Sequence, residues 1–197
     1  MSIYSDPSTF HNLTPTENRL IGLSGFAQVG KDSVANILGE HGFQRVSFAD
    51  PLRAAMYTLD PIVRADTYGR TYGLREVIDD IGWDEAKTRI PEVRRLLQVF
   101  GTEVGRQMLG KSIWVDLAKK KIGPAGKYVI TDVRFPDEVV AIRTLGGSLY
   151  KVVRPGYAPV NKHISDVGLP DQLFDGVIFN IGSLEDLRTT VLRVLDI

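Results

Sequence analysis

Short apolar runs alternate with helical patterns along most of this chain. From Arg19, RLIGLSG is an apolar run that ends in glycine, and in the following DSVANILGE the residues Val34, Ala35 and Leu38 recur at helical spacing. Gly42 is expected to stop this helix, and FQRVSF then alternates apolar and polar residues as a strand does. The order strand, loop, helix and strand predicts a βαβ unit.

Three later apolar runs are rich in valine or isoleucine, namely KYVITD, SLYKVV and DGVIFNI. Two helical patterns accompany them, PDEVVAIRTLG and SLEDLRTTVLRVL. Ser183 and Asp186 match a capping box at the start of the second pattern. Five strands that alternate with helices predict an α/β fold in which a five-stranded parallel sheet is flanked by helices.

The stretch from residue 60 to residue 111 departs from this alternation. It has a helical pattern without a strand signal, and Pro91 is a suitable first residue for a helix that continues as EVRRLLQVFGTEVGRQML. We predict a helical insertion in a single domain that spans residues 19–197, preceded by a flexible arm at residues 1–18. The insertion is rich in arginine and contains Arg64, Arg70, Arg75, Arg89, Arg94, Arg95 and Arg106.

Composition narrows the classes of function. Hydrophobic residues make up 43% and charged residues 24% of the chain, as in soluble globular proteins. Basic and acidic residues number 24 each, so no global positive charge favours nucleic acid or an anionic membrane. Cysteine is absent, which excludes disulfides and thiolate chemistry, and no apolar run is long enough for a membrane span. We therefore expect a cytoplasmic protein with neither a nucleic-acid nor a membrane partner.

The segment GFAQVGKDS has the spacing of a phosphate-binding loop, G-x-x-x-x-G-K, between a predicted strand and a predicted helix. Its glycines allow backbone amides to approach an anion, the helix N-terminus adds a partial positive charge, and the lysine can reach the β- and γ-phosphates of a nucleotide. We expect ATP to be bound by Gly25, Gln28, Val29, Gly30, Lys31, Asp32 and Ser33.

The position after the lysine departs from the usual motif. Asp32 stands where serine or threonine is usual, and Ser33 follows it. Mg²⁺ is the expected cofactor. Either Asp32, which we favour, or the Ser33 hydroxyl is its predicted ligand, and the third alternative is that Asp32 only caps the helix.

A second candidate segment is KYVITDVRFPDE, which ends an apolar strand at Asp132. The carboxyl edge of a parallel sheet is where ligands bind. Asp132 is a candidate for holding the hydration shell of Mg²⁺ or for accepting a hydrogen bond from the substrate, and Arg134 is a candidate for neutralising a phosphoryl oxygen. The alternative is a simple turn in which Asp132 pairs with Arg134 or Lys127.

The insertion offers further candidates. Arg95, Gln98 and Arg106 are separated by three and eight residues, which places them on neighbouring helical turns and predicts a shared cleft with Trp114. Trp114 is predicted either to stack on a base or to be a core residue. His163 is assigned no role as a general base, because phosphoryl transfer depends mainly on positioning and charge stabilisation.

Several segments together resemble the phage-type deoxynucleoside monophosphate kinases. In order they are GFAQVGKDS, SFADPLR, LLQVFGTEVGRQ, IWVD, VITDVRFPDE, GGSLYKVVRP, and HISD followed by VIFNIGSLEDL. The resemblance implies a P-loop kinase core with an acceptor-binding part and a lid, and transfer of the γ-phosphate of ATP to a deoxynucleoside monophosphate. In HISD, Asp166 stands where glutamate is expected, which leaves its role open.

The resemblance also implies an acceptor pocket. The residues that match its motifs are Asp50, Arg53, Gln98, Arg106, Trp114, Thr131, Asp132, Arg134 and Glu138, to which the spacing argument adds Arg95. The expected catalytic residues are Lys31, Arg106, Asp132 and Arg134.

Two other functions stay open at this point. One is another P-loop small-molecule kinase, of the phosphomevalonate or dephospho-coenzyme A type, which would differ in its acceptor. The other is a switch that binds nucleotide and phosphorylates no acceptor. The oligomeric state is also open, with a homodimer as one arrangement.

Overall fold

Parallel strands with helices between them form the centre of the chain. The computed structural model describes residues 19–64, 70–157 and 168–197. In chain order the strands and helices of the described residues are β1 (Arg19–Ser24), α1 (Lys31–Glu40), β2 (Phe43–Val46), α2 (Asp50–Leu59), β3 (Ile62–Arg64), β4 (Thr71–Gly73), α3 (Leu74–Arg89), α4 (Pro91–Gln98), a π-helix (Val99–Leu109), α5 (Ile113–Lys119), β5 (Lys127–Ile130), α6 (Pro136–Thr144), β6 (Ser148–Val153), a 3-10 turn (Asp171–Leu173), β7 (Gly176–Phe179) and α7 (Leu184–Leu195).

The five strands predicted from the sequence form one parallel sheet in the order β2-β5-β1-β6-β7. The predicted α/β fold is therefore confirmed. The central strand β1 pairs with β5 on one side and with β6 on the other, so that Ile21 lies opposite Val129 and Ser148. The phosphate loop follows this central strand, which places the loop in the middle of the carboxyl edge.

Helices cover both faces of the sheet, which explains why its strands are so apolar. Ile21 and Leu23 of β1 point to a core formed with α1 and α7, whereas Leu20 points to a second core formed with α5 and α6. As predicted, α1 ends at Glu40, before Gly42. The capping box of α7 is also confirmed, because the amide of Ser183 donates to Asp186 at 2.8 Å and the amide of Asp186 donates back to the Ser183 hydroxyl at 3.2 Å.

The region from residue 60 to residue 111 differs in part from its prediction. The prediction that this region contains no strands is wrong, since β3 and β4 form an antiparallel pair in which Ile62 lies opposite Gly73. Strands of three residues are too short to show an alternating pattern. The helix predicted from Pro91 is confirmed, but it changes from an α-helix to a π-helix at Val99. The helices α2, α3 and α4 share a third core around Met56, separate from the two cores of the sheet.

Some sequence predictions lie outside the described residues. These are the flexible arm at residues 1–18 and the assignments of His163 and Asp166. No helix within the described residues combines the length and the apolarity that a membrane span requires.

The core beside α7 provides a test of which contacts hold the sheet together. Leu187 is 1% exposed in this core, whereas Leu184 on the same helix is 63% exposed. We expect Leu187→Ala to lower the free energy of unfolding by about 2–5 kcal/mol, because it removes buried methyl groups and leaves a cavity. The matched control Leu184→Ala should change it by less than about 0.5 kcal/mol. Denaturant unfolding measures both, and equal effects would contradict the assigned core.

Candidate active site

A cavity of about 670 Å³ opens at the carboxyl edge of the sheet. One side is formed by the phosphate loop and by Asp32 at the start of α1. The rest of the lining comes from residues that follow β2 and β5, from helices α2, α3, α4 and α5 with the π-helix, and from β6 and the segments after it. The position agrees with the rule that open parallel sheets bind ligands at the carboxyl ends of their strands.

The phosphate loop packs closely against the last two strands of the sheet. A Cβ atom on Gly25 would lie 2.4 Å from the carbonyl oxygen of Val152, and one on Gly30 would lie 2.4 Å from the side-chain nitrogen of Asn180. Both glycines also have positive φ angles, +148° and +100°. Glycine is therefore required here by packing and by backbone conformation, in addition to the approach of an anion.

The ammonium group of Lys31 lies over the loop. Its Nζ atom donates to the carbonyl oxygens of Gly25 and Phe26, each at 2.7 Å. These bonds hold the lysine at the wall of the cavity, where its charge is directed at the space enclosed by the loop.

Asn180 fastens the loop from the carboxyl end of β7. Its side-chain amide donates to the carbonyl oxygen of Val29 at 2.9 Å, and its backbone amide donates to Val153 at 2.8 Å. The sequence reasoning missed this residue. The available signal was a polar asparagine that directly follows the apolar run DGVIF.

Asp32 lies in the first turn of α1 and lines the cavity. Its carboxylate pairs with Arg45 of β2 at 2.5 Å, and both side chains are largely exposed. Among the described residues, no group of three or more metal-ligating side chains comes together. A Mg²⁺ ion that is bound to nucleotide phosphates needs only one or two carboxylates from the protein. The carboxylate of Asp32 is therefore sufficient as a protein ligand.

Asp132 anchors the segment between β2 and α2. Its carboxylate accepts hydrogen bonds from the Ser47 hydroxyl at 2.7 Å and from the amides of Phe48 and Ala49, each at 2.9 Å. The carboxylate therefore fixes the loop that leads into α2, and it also borders the cavity.

Arg106 and Glu138 form a buried group beside Asp132. The guanidinium of Arg106 pairs with Asp137, lies 3.5 Å from a carboxylate oxygen of Glu138, and stacks 4.0 Å above the ring of Phe135. The other carboxylate oxygen of Glu138 accepts from the amides of Arg134 at 2.6 Å and Phe135 at 3.0 Å. The Glu138 side chain thus orders the turn that carries Arg134.

Burial raises the pKa of Glu138 to about 8. The two backbone hydrogen bonds and Arg106 oppose this shift, and the negative charge of Asp132 adds to it. Since Glu138 is 4% exposed, its neutral form is favoured over a wide range of pH.

Comparison with known proteins identifies the family. A family model described as deoxynucleotide monophosphate kinase matches residues 71–191. A protein of Acanthamoeba polyphaga mimivirus named putative deoxynucleotide monophosphate kinase is 33% identical over 194 residues, covering 90% of this chain and 96% of that protein. The chain belongs to the deoxynucleotide monophosphate kinase family.

Two phage proteins named deoxynucleotide monophosphate kinase match a shorter stretch. The protein of Escherichia phage RB69 is 36% identical over 129 residues, which are 62% of this chain and 50% of that protein. The protein of Enterobacteria phage T4 is 34% identical over 110 residues, which are 53% of this chain and 46% of that protein. The match thus spans about half the length of these phage kinases.

Most of the predicted site residues line this cavity. Those that line it are Gly25, Gln28, Val29, Lys31, Asp32, Arg53, Gln98, Arg106, Trp114, Thr131, Asp132, Arg134 and Glu138. Four described residues that were predicted for the site do not line it, namely Gly30, Ser33, Asp50 and Arg95. Asp50 instead lies near Arg53 at 3.8 Å and Lys121 at 3.4 Å.

The placement of Arg95 in the cleft is wrong. Its guanidinium is exposed and forms two hydrogen bonds with Glu92, at 2.8 and 2.7 Å. Arg94 lines the cavity in its place, on a face of α4 and the π-helix that continues at i+3, i+4, i+7 and i+8 with Leu97, Gln98, Gly101 and Thr102. Arg95 lies one residue outside this face, and its three-residue spacing to Glu92 favours the ion pair.

Trp114 is a core residue that also borders the cavity. It is 7% exposed, and its indole nitrogen donates to the carbonyl oxygen of Gly101 at 2.7 Å. A Cβ atom on Gly105 would lie 2.4 Å from the indole ring. Gly105 of GTEVGR therefore lets the π-helix pack against α5, whereas a Cβ atom on Gly101 would lie 3.0 Å from Leu52 of α2.

The raised pKa of Glu138 predicts a pH-dependent stability. The unfolded chain titrates near 4.5 and the folded chain near 8, so the stabilising contribution of the neutral group is complete below pH 4.5 and is lost as the pH rises to about 8. We expect Glu138→Gln to gain stability relative to the unsubstituted chain across this window, by on the order of a few kcal/mol at its upper end.

Denaturant unfolding at several pH values measures this difference. The exposed Glu76 provides the control, since Glu76→Gln should show no such trend. If the difference between Glu138→Gln and the unsubstituted chain shrank with rising pH, Glu138 would be ionised and stabilised by Arg106 in the folded chain.

Proposed function

We propose that this chain transfers the γ-phosphate of ATP to a deoxynucleoside monophosphate, giving the diphosphate and ADP. The observation that carries the proposal is one cavity lined both by Lys31 of the phosphate loop and by Arg53, Arg106 and Arg134. Phosphoryl transfer depends on positioning two phosphates in line and stabilising the charge between them. Cationic side chains on both sides of one cavity suit that task.

ATP is assigned to the side of the phosphate loop. Amides of the loop and the N-terminus of α1 would bind the β- and γ-phosphates, and Lys31 would exchange its two carbonyl acceptors for phosphate oxygens. Mg²⁺ bound with the nucleotide would offset part of the phosphate charge, and Asp32 would hold it directly or through water.

The acceptor is assigned to the opposite side. Arg106 lines the cavity, and its buried Nη1 atom lies 3.5 Å from a carboxylate oxygen of Glu138 without a hydrogen bond among the described residues. A guanidinium at the cavity wall suits a phosphate oxygen of the acceptor. Asp132 and Glu138 act as positioning residues here, because they hold the segments that carry Arg53 and Arg134.

A cytoplasmic location, in the host cell if the chain is encoded by a virus, is part of this proposal. It is supported by the phage and mimivirus sources of the relatives.

The direct test is an assay with ATP and Mg²⁺ against the four common deoxynucleoside monophosphates and their ribonucleotide counterparts. Chromatography resolves the diphosphate products. Formation of deoxynucleoside diphosphates, at higher kcat/KM than the ribonucleotide products, is the expected result. Binding of ATP without product from any of these acceptors would overturn the proposal and favour a different acceptor or a nucleotide switch.

Lys31 should be indispensable for turnover. We expect Lys31→Ala to lower kcat by at least about 10²–10³-fold, because charge stabilisation of the transferred group is lost. Circular dichroism and the unfolding midpoint should stay close to those of the unsubstituted chain. The exposed Lys120 provides the control in Lys120→Ala, which should keep full activity. Full activity of Lys31→Ala would remove the phosphate loop from the mechanism.

Substitutions can distinguish Asp32 from Ser33 as the ligand of Mg²⁺. We expect Asp32→Asn to raise the Mg²⁺ concentration for half-maximal rate by about tenfold, since a carboxylate is lost to the ion. Ser33→Ala should leave it unchanged. Arg45→Gln is the matched control, because it breaks the same ion pair and keeps the carboxylate. The reverse order of effects for Asp32 and Ser33 would assign the metal to the hydroxyl.

A further inference from the structure

The second half of α3 forms part of the cavity wall. Helix α3 is interrupted at Gly82, where φ is 71° and ψ is 169°, and the segment after this break places Asp84, Lys87 and Thr88 along the cavity. The sequence reasoning and the resemblance gave none of these three residues a role. The ammonium of Lys87 lies 2.7 Å from the carboxylate of Asp84.

Lys87 is the more enclosed member of this pair. Its side chain is 27% exposed, whereas that of Asp84 is 83% exposed. Burial lowers the pKa of Lys87, and although Asp84 opposes the shift, the positive charges of Arg53 and Arg134 lower the pKa further. The lysine therefore shares its surroundings with two arginines from other parts of the chain.

Three cationic side chains from three elements line this cavity. Arg53 comes from α2, Lys87 from α3 and Arg134 from the turn after β5. The carboxylates that line the same cavity are Asp32, Asp84, Asp132 and Glu138, and Asp50 lies 3.8 Å from Arg53. Asp84 is mostly in solvent, and Asp132 accepts three hydrogen bonds from the segment before α2. Like charges repel at a partly enclosed surface, so the arrangement favours a bound anion that contacts all three.

We propose that Lys87 binds the phosphate group of the acceptor nucleotide together with Arg53 and Arg134. This inference rests on the function proposed above and deepens it. A phosphate monoester has three terminal oxygens and a charge near −2 at neutral pH, which matches three cations that approach from separate elements. The base of a nucleotide carries no comparable charge. The ion pair with Asp84 is partly in water, so its loss on phosphate binding has a small energetic effect.

The first arm of the test compares Lys87→Met with Lys87→Arg. Methionine keeps an apolar stem of similar length and removes the charge. We expect Lys87→Met to raise the KM and the Kd for the monophosphate about 10- to 100-fold, the effect of losing one charge-assisted hydrogen bond, with the KM for ATP and the unfolding midpoint unchanged. Lys87→Arg should recover most of the affinity. The control Lys120→Met should match the unsubstituted chain.

The second arm locates the contact on the nucleotide. The deoxynucleoside of the same base, which lacks the phosphate, is measured as a competitive inhibitor against the monophosphate. Its inhibition constant should be the same for Lys87→Met and the unsubstituted chain. An equal rise for nucleoside and monophosphate would place Lys87 at the base or sugar and overturn the proposal.

Other results would also overturn it. Unchanged monophosphate constants in Lys87→Met, in a chain that forms diphosphates, would reject this inference alone. A lowered unfolding midpoint with equal increases in both Michaelis constants would assign Lys87 a purely structural role. If the unsubstituted chain formed no diphosphate from any monophosphate, the proposed function would fail first and this inference would fail with it.

Discussion

The carboxylate of Asp132 is the contact on which the geometry of the cavity depends. It lies at the carboxyl end of β5 and accepts three hydrogen bonds from Ser47, Phe48 and Ala49. These residues lead directly into α2, which carries Arg53 and contributes Met56 to the third core. One carboxylate thus connects the sheet, whose central strand bears the phosphate loop, to the helices that bear the opposite wall. A partly buried carboxylate that accepts three hydrogen bonds is stable in this position only when its partners are in place.

The charged groups around Asp132 also hold neighbouring segments in place. Arg106 is held by Asp137, Glu138 and the ring of Phe135, and Glu138 in turn orders the amides of the turn at Arg134. Because Glu138 favours its neutral form, it holds this turn by accepting hydrogen bonds and adds little negative charge to the cavity. The cationic character of this part of the cavity is preserved, as the proposed phosphorylated acceptor requires.

The sequence predicted the parts of this protein whose signals are local. The strands of the sheet are apolar runs or, in β2, an alternation of apolar and polar residues, and the phosphate loop has a fixed spacing between a strand and a helix. The partners of Asp132 could not be predicted in this way, since Ser47 lies 85 residues earlier in the chain. Helical spacing predicts which residues share a face, but the direction of that face depends on packing. For this reason the sequence predicted Arg95 at the cavity, whereas Arg94 lines it and Arg95 pairs with Glu92. The position of Lys87 could not be predicted either. The sequence pattern does not show that α3 is broken at Gly82, and the break changes the direction of the half of the helix that carries Lys87.

Different hydrophobic cores support different parts of the cavity wall. The phosphate loop is supported by the core of α1 and α7, to which Val29 of the loop itself belongs, and by the bond from Asn180. Lys87 and Arg94 are instead carried by helices of the third core, around Met56 and Val93. Substitutions far apart in separate cores act nearly independently on stability. Variation within the third core can therefore change the placement of Lys87 and Arg94, and with it the proposed acceptor site, while the phosphate loop stays intact. Asp132 is the exception, because it contacts the sheet and the segment leading into α2 at once, so its loss disturbs both sides together.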